Sequence, residues 1–265
     1  MKSGILLIIC LIILSDSAFG QDKINRIFFD LGINYLSNKE THFTSNFRDG
    51  VGSRFEIGFE RKTPKSINRF SLLGAHTNTG NDNISRSITL QPELRYTHLR
   101  SISNKGFQLG GYLDAGTLLN FRQGVWSNEN GTNYTIWSSL GLSTQFDKKI
   151  SFGNRELNWI TQFSIPILSY LIRPSYTFPY TDNFLENEVF NFERSGLGEK
   201  IITGGSLALL NNFFRPQFQT GFSFSTKNKN WEFGLKYAFD YLQTQEVKPV
   251  FQTRHQLSLT SKLTK

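Results

Sequence analysis

Polar and apolar residues alternate with a period of two along much of the chain, most plainly in its last fifty residues. Phe214, Phe218, Thr220, Phe222 and Phe224 form one face, with Arg215, Gln217, Gln219, Gly221, Ser223 and Ser225 opposite. After the polar turn Lys227-Asn228-Lys229-Asn230, Trp231, Phe233, Leu235, Tyr237, Phe239 and Tyr241 share a face. Glu232, Gly234, Lys236, Ala238 and Asp240 lie behind them. A third run sets His255, Leu257 and Leu259 against Arg254, Gln256, Ser258 and Thr260. Side chains on a strand point alternately to its two sides, so this period predicts strands. Strands of soluble domains usually run about 5–6 residues. Alternation over ten or more suits a tilted strand that crosses a bilayer in roughly 9–11 residues, one face in lipid and one in a lumen.

The same pattern upstream predicts seven more strands, near residues 25–36, 51–62, 69–77, 85–99, 107–121, 134–146 and 157–171. The third is the least regular, because both of its faces carry apolar residues. Residues 201–210 have the composition of a further strand or a short helix. Eleven crossings would leave the termini on opposite sides of the membrane, and single-chain bacterial barrels have an even number, so this stretch is excluded as a crossing. The predicted fold is all-β: a transmembrane antiparallel up-and-down β-barrel of about ten strands, following a cleaved signal peptide. Alternate connections, at 63–66, 101–105, 147–149 and 227–230, are short and polar, as expected of periplasmic turns. The others, at 37–50, 78–83, 122–133, 174–212 and 244–249, are mostly longer, as expected of extracellular loops. Aromatic residues mark both expected interfaces. Tyr96, Phe107, Phe146, Trp159, Phe224 and Trp231 mark one, and Tyr35, Phe121, Tyr134, Tyr241 and Phe251 the other.

Composition changes the picture in three places. Residues 1–20 begin with Lys2, continue as an apolar run from Ile5 to Leu14 and end in Ala18-Phe19-Gly20. This predicts a signal peptide cleaved before Gln21, too short in its apolar part to span a bilayer as a helix. The mature barrel is then 21–265, with a long extracellular loop at 174–212. Cys10 is the only cysteine and lies in the removed segment, so no disulfide or thiolate site is expected. The net charge of +8 is spread without Lys/Arg runs. With an export signal this points away from nucleic acid and toward a solvated basic surface or contact with lipopolysaccharide phosphates.

The chain resembles the small outer-membrane β-barrel proteins of Bacteroidetes-type bacteria. The resemblance rests on the Gln21 start, the run Ile165-Pro166-Ile167-Leu168-Ser169-Tyr170 leading to Arg173-Pro174-Ser175-Tyr176, and the final meander. It implies an outer-membrane location and a barrel architecture. The chain departs from such barrels in ending Leu263-Thr264-Lys265 rather than in an aromatic residue.

Catalytic chemistry has little footing. An outer-membrane acyl hydrolase would set a His and a Ser two apart on one strand face. Two positions after His42, His76, His98 and His255 stand Thr44, Asn78, Arg100 and Leu257. A cross-strand arrangement of His98 with Ser101 or Ser103, or a protease-like pairing of His76 with Asp82 or His42 with Asp49, stays open as a lesser reading. No catalytic residue is assigned. No histidine pair has ligand spacing, and the loop acids Asp182, Glu186, Glu188 and Glu193 match no calcium loop, so neither metal nor cofactor is expected. The informative set is the inward-facing charges Asp30, Arg54, Glu56, Glu60, Glu93, Arg95, Asp114, Glu232, Lys236, Asp240 and Arg254. Both signs are present, so they are expected to pair and fill a narrow lumen. In the long loop, Tyr176, Phe178, Tyr180, Phe184, Phe190 and Phe192 are candidates for a lid or a recognition surface. The expected role is a non-enzymatic structural or binding barrel of the cell envelope, with lipid, lipopolysaccharide and other envelope proteins as partners. A narrow pore for small solutes is the alternative, and a membrane-embedded hydrolase the lesser one.

Overall fold

The alternating segments form ten long strands in the computed structural model, which describes residues 23–40, 47–81, 85–102, 106–124, 131–152, 155–173, 178–179, 205–226, 230–245 and 249–264. In chain order the elements are β1 (Ile24–Glu40), β2 (Arg48–Lys62), β3 (Ser66–Asn81), β4 (Ser85–Ser101), β5 (Phe107–Gly124), β6 (Gly131–Phe152) and β7 (Arg155–Ile172). The short β8 (Phe178–Pro179), β9 (Ser206–Leu209) and β10 (Phe213–Phe214) follow, then β11 (Gln217–Ser225), β12 (Trp231–Thr244) and β13 (Val250–Thr264).

Each long strand pairs antiparallel with its neighbours. β1 pairs with both β2 and β13, and β7 with both β6 and β11, so the sheet closes into a ten-stranded barrel. Closure removes the unpaired edges of an open sheet, and every ladder group of a spanning strand finds a partner within the protein. The end that carries both described chain ends and the short turns corresponds to the periplasmic end of such barrels.

The exterior is apolar to a degree that water would not tolerate. Leu31 is 57% exposed, Ile33 62% and Leu259 70%, with Phe55, Ile57, Leu235 and Leu257 around them. A contiguous apolar band of this kind is a surface for lipid tails. Aromatic side chains gather toward both ends of the band. Trp159 lies against Phe146 and stacks on Phe222, Trp231 stacks on Phe233, and toward the other end Phe214 meets Tyr241 edge-on.

Several predicted boundaries shift. Residues 147–149 are not a turn: β6 continues through Asp147, Lys148 and Lys149 to Phe152, paired with β7 down to Phe152–Arg155. Residues 201–210 do not cross the membrane, yet Ser206–Leu209 is a strand, paired with β7 at Leu168–Leu171. It and β11 lie on the same side of β7, four β7 residues apart at Leu168 and Ser164, whereas the opposing chain spends Leu209 to Gln217 on the same distance. The eighth wall of the barrel is therefore split, and the extra residues bring Phe213 inward. β3 is regular after all. Its two-sided apolar character arises because Ile67 and Ala75 are buried in the lumen while Phe70 and Leu72 face out. On β7 a register shift opposite Leu140/Gly141 flips the alternation, so Ile167 and Leu168 are both exposed and Ser169 and Leu171 both buried.

Candidate functional site: the filled lumen

The lumen is layered. Toward the extracellular end, Leu118, Trp137, Leu171, Ala208, Phe213, Leu242 and Val250 form one buried apolar cluster. Trp137 and Phe213 have ring centroids 6.5 Å apart. Gly116 makes room for the indole: a Cβ there would come within 2.5 Å of Trp137 Cζ2. Inward apolar side chains at this depth fill space in the lumen by packing on one another.

Below this plug lies a layer of ion pairs. Arg215 is its centre. Its guanidinium donates to Glu93 Oε2 at 2.5 Å, to Asp114 Oδ2 at 3.4 Å and to both oxygens of Asp240 at 3.2 and 2.8 Å. Its Cζ sits 4.6 Å from the Trp137 ring, so the same side chain joins the ionic layer to the plug. Arg95 donates to Glu93 Oε1 at 2.7 Å and to Asp114 at 3.2 Å, and lies 5.1 Å over Tyr112.

A second group brings Lys236 onto Asp30 and, at 2.8 Å, onto Glu56, whose Oε2 also takes a bond from Arg54 Nη2 at 2.6 Å. A third lies nearer the periplasmic end. Arg69 donates to Glu60 at 2.6 Å and to Gln162 at 3.0 Å. Arg26 approaches Glu60 at 3.7 Å and Glu232 at 3.4 Å, Lys262 approaches Glu232 at 3.6 Å, and Ser223 donates to Glu232. At the mouth itself Lys62 on β2 reaches Asp147 on β6 at 2.7 Å. Two cavities of about 70 Å³ and 50 Å³ remain among these groups, each room for a few water-sized particles.

The structure thus brings ten of the predicted inward charges into ion pairs: Asp30, Arg54, Glu56, Glu60, Glu93, Arg95, Asp114, Glu232, Lys236 and Asp240. Arg254 is fully buried in the same layer, but its guanidinium makes no hydrogen bond to any described residue. Sequence reasoning missed Arg26, Arg69, Arg215 and Lys262. Extending the alternation back from Asp30 and on past Thr260 would have found Arg26 and Lys262. Arg215 was on the polar face of its run but lay beyond the regular part of the strand. Arg69 was hidden by the irregular look of β3. The apolar plug carried no signal, since its members read as ordinary interruptions of a polar face.

The histidines stand elsewhere. His98 Nδ1 is 2.8 Å from Asn68 Oδ1, which also accepts from the Tyr96 hydroxyl, on the outer wall. His255 Nδ1 is 2.8 Å from the Tyr237 hydroxyl, among Tyr35 and Phe239. His42, Asp82 and Ser103 lie outside the described residues, as do Tyr176, Tyr180, Phe184, Phe190 and Phe192 of the long loop. Of Phe178 the backbone is described, paired with Thr132 of β6. Among the described residues no group of three or more His, Cys, Asp or Glu is placed to hold a metal ion.

The architecture, an apolar belt around a closed ten-stranded barrel with a polar filling, defines an outer-membrane β-barrel. A solved structure shares the fold, and others are more loosely similar. The outer membrane protease OmpT of Escherichia coli superposes with a TM-score of 0.52 at 8% identity, over 94% of this chain and 98% of that one. The translocator domain of the autotransporter NalP of Neisseria meningitidis gives 0.43 at 9% identity, over 97% and 94%. The attachment invasion locus protein Ail of Yersinia pestis gives 0.37 at 9%, over 90% and 99%. At these identities the likeness to OmpT is one of fold. The sequence matches no described protein family and no curated protein.

Proposed function

We propose that this barrel is a non-enzymatic structural or binding component of the outer membrane, with a lumen that does not conduct solutes. The observation that supports it is Arg215, held by carboxylates from three strands and roofed by Trp137. Charges that are buried and mutually neutralised in this way fill space and brace walls. A conducting pore would keep a continuous wet path, usually lined by one dominant sign. The fold also hosts proteases, as the name of OmpT says of that protein. Here His98 and His255 are bonded to Asn68 and Tyr237 on the outer wall, which favours a structural use for them.

The partners of such a barrel are the lipid around its belt, lipopolysaccharide phosphates for its basic surface, and other envelope proteins in a larger assembly. Nucleic acid is not among them. Its setting is the outer membrane of a Bacteroidetes-type bacterium, following the sequence resemblance. The test is a pair of measurements on protein gently extracted from outer membranes: what co-purifies in fixed ratio, and whether planar bilayers containing the barrel conduct. The reading expects a stoichiometric envelope partner or none, and no large stable conductance. A steady single-channel current would overturn it in favour of a narrow pore.

A further inference from the structure

At the periplasmic end, the outer wall of β2, β3 and β4 carries cations and no acid. The registers put Arg61, Asn68 and His98 in one row across the three strands, with Arg100 two residues beyond His98 on the same face. Lys65 stands in the turn between β2 and β3. Its carbonyl accepts from Ser101 N at 2.8 Å, which ties the turn to the end of β4 beside Arg100. Thr63 Oγ1 accepts from Ser66 N at 2.9 Å and holds the same turn. Lys65 and Arg100 are exposed and Arg61 is half-buried, and among the described residues no acid pairs with any of them. Glu56, Glu60 and Glu93 of these strands are buried in the lumen, and Asp49 stands at the other end of the barrel, opposite Ser37. Asp147, at the same mouth, is taken by Lys62.

The cations border the apolar belt in an ordered way. Next to their row, toward the middle of the wall, Phe59, Phe70 and Tyr96 are in register, and beyond them Ile57, Leu72 and Leu94. All six are exposed except the half-buried Tyr96. From the bilayer core outward the wall therefore runs aliphatic, aromatic, cationic, which is the order of acyl chains, glycerol region and phosphate in a lipid. The Tyr96 hydroxyl and His98 Nδ1 both engage Asn68 Oδ1 at 2.8 Å, so these side chains are held together between the two arginines. With strands about 4.8 Å apart and residues about 3.3 Å apart along them, the backbones of Arg61 and Arg100 stand roughly 12 Å from each other. Two extended arginine side chains can close on one phosphate over that span.

We propose that this face binds an anionic phospholipid of the periplasmic leaflet. Its phosphodiester lies between Arg61 and Arg100 with Lys65 beside it, and its chains lie on Phe59, Phe70 and Leu72. Guanidiniums meet phosphate oxygens in a forked geometry, and their aliphatic stems rest on an apolar wall while the charge reaches the headgroup. Three cations without an acid also set the choice of lipid. A glycerol headgroup, as in phosphatidylglycerol, leaves the phosphate charge for the protein to neutralise. The ammonium of phosphatidylethanolamine would meet like charges here, with no carboxylate to take it. The inference gives the lipid partner of the proposed function a headgroup and a place, and lumen conductance does not bear on it.

The experiment titrates the detergent-solubilised full barrel with phosphatidylglycerol or phosphatidylethanolamine of the same acyl chains and counts bound lipid by native mass spectrometry. The expected result is one phosphatidylglycerol held several-fold more tightly than phosphatidylethanolamine. A cation beside anionic lipid is worth about fivefold in affinity, so Arg61→Gln and Arg100→Gln should each weaken phosphatidylglycerol by about that factor and the double variant by about 25-fold. Lys148→Gln removes an exposed cation of β6, outside the patch, and should leave the affinity unchanged. Equal affinity of the unaltered barrel for the two lipids overturns the proposal and needs no variant. Full retention of phosphatidylglycerol by the double variant overturns it as well. So does a loss in Lys148→Gln as large as in the arginine variants, because the attraction would then belong to the basic rim as a whole.

Discussion

Arg215 and Glu93 are 122 residues apart in sequence and 2.5 Å apart in the lumen, joined across the barrel from the split eighth wall to β4. Replacing Arg215 by Ala leaves Glu93, Asp114 and Asp240 buried, with Arg95 bonded to only the first two. Breaking one side of a buried ionic network costs about 3–5 kcal/mol. The expected outcome is a clear drop in the urea midpoint of the folded band on unheated gels. A midpoint within error of wild type would mean that water carries the charges and the network does not brace the barrel.

The plug makes a separate prediction. Trp137→Ala removes the indole that packs on Phe213 and roofs Arg215. Large-to-small changes of this size cost about 3–5 kcal/mol. Combined with Phe213→Ala, it opens the extracellular half of the lumen. Planar-bilayer recordings are expected to show brief current events for the double variant that wild type lacks.

Lipid contact can be read on the belt. Leu259 is 70% exposed and pairs in register with Leu31 and Leu235. An arginine near the midplane on the lipid face of a barrel costs about 2–4 kcal/mol. Leu259→Arg should therefore lower folding efficiency into bilayers sharply, while Leu259→Phe should leave it nearly unchanged. On a barrel surrounded by water, the arginine would be the harmless change.

Tryptophan position gives an independent check. Trp159 and Trp231 lie on the outer wall, Trp231 43% exposed, whereas Trp137 is 1% exposed inside. In single-tryptophan variants reconstituted with brominated lipids, the fluorescence of Trp159 and Trp231 should be quenched and that of Trp137 should not. Equal quenching of all three would place Trp137 in lipid and remove the plug.

Glu60 and Arg69 supply a test of pairing in the periplasmic third. They face each other in the β2–β3 register and bond at 2.6 Å. A double-mutant cycle with Glu60→Gln and Arg69→Met should give a coupling of about 0.5–3 kcal/mol, the range for neighbours in one network. Because Arg26 also approaches Glu60 at 3.7 Å, the single Arg69→Met change should cost less than Glu60→Gln.

The alternation of polar and apolar residues was enough, alone, to predict a barrel, its ten crossings and the side of the wall on which each of Asp30, Glu93, Asp114, Lys236 and Asp240 stands. The reason is local: on a strand the facing of a side chain follows from its position, and one wrong step would put a whole face of leucines in the lumen or of carboxylates in lipid. What sits opposite a lumen residue is not local. It depends on barrel closure, on the register shift beside Gly141 and on the extra residues between Leu209 and Gln217, none of which has a period. Only the folded barrel could therefore decide that Arg215 would meet Glu93, Asp114 and Asp240, that Trp137 and Phe213 would pack together at one end, and that the Arg254 guanidinium would have no hydrogen-bond partner among the described residues. The contact of Arg215 with Glu93 is a distance across the lumen, and a pattern along one strand does not contain it.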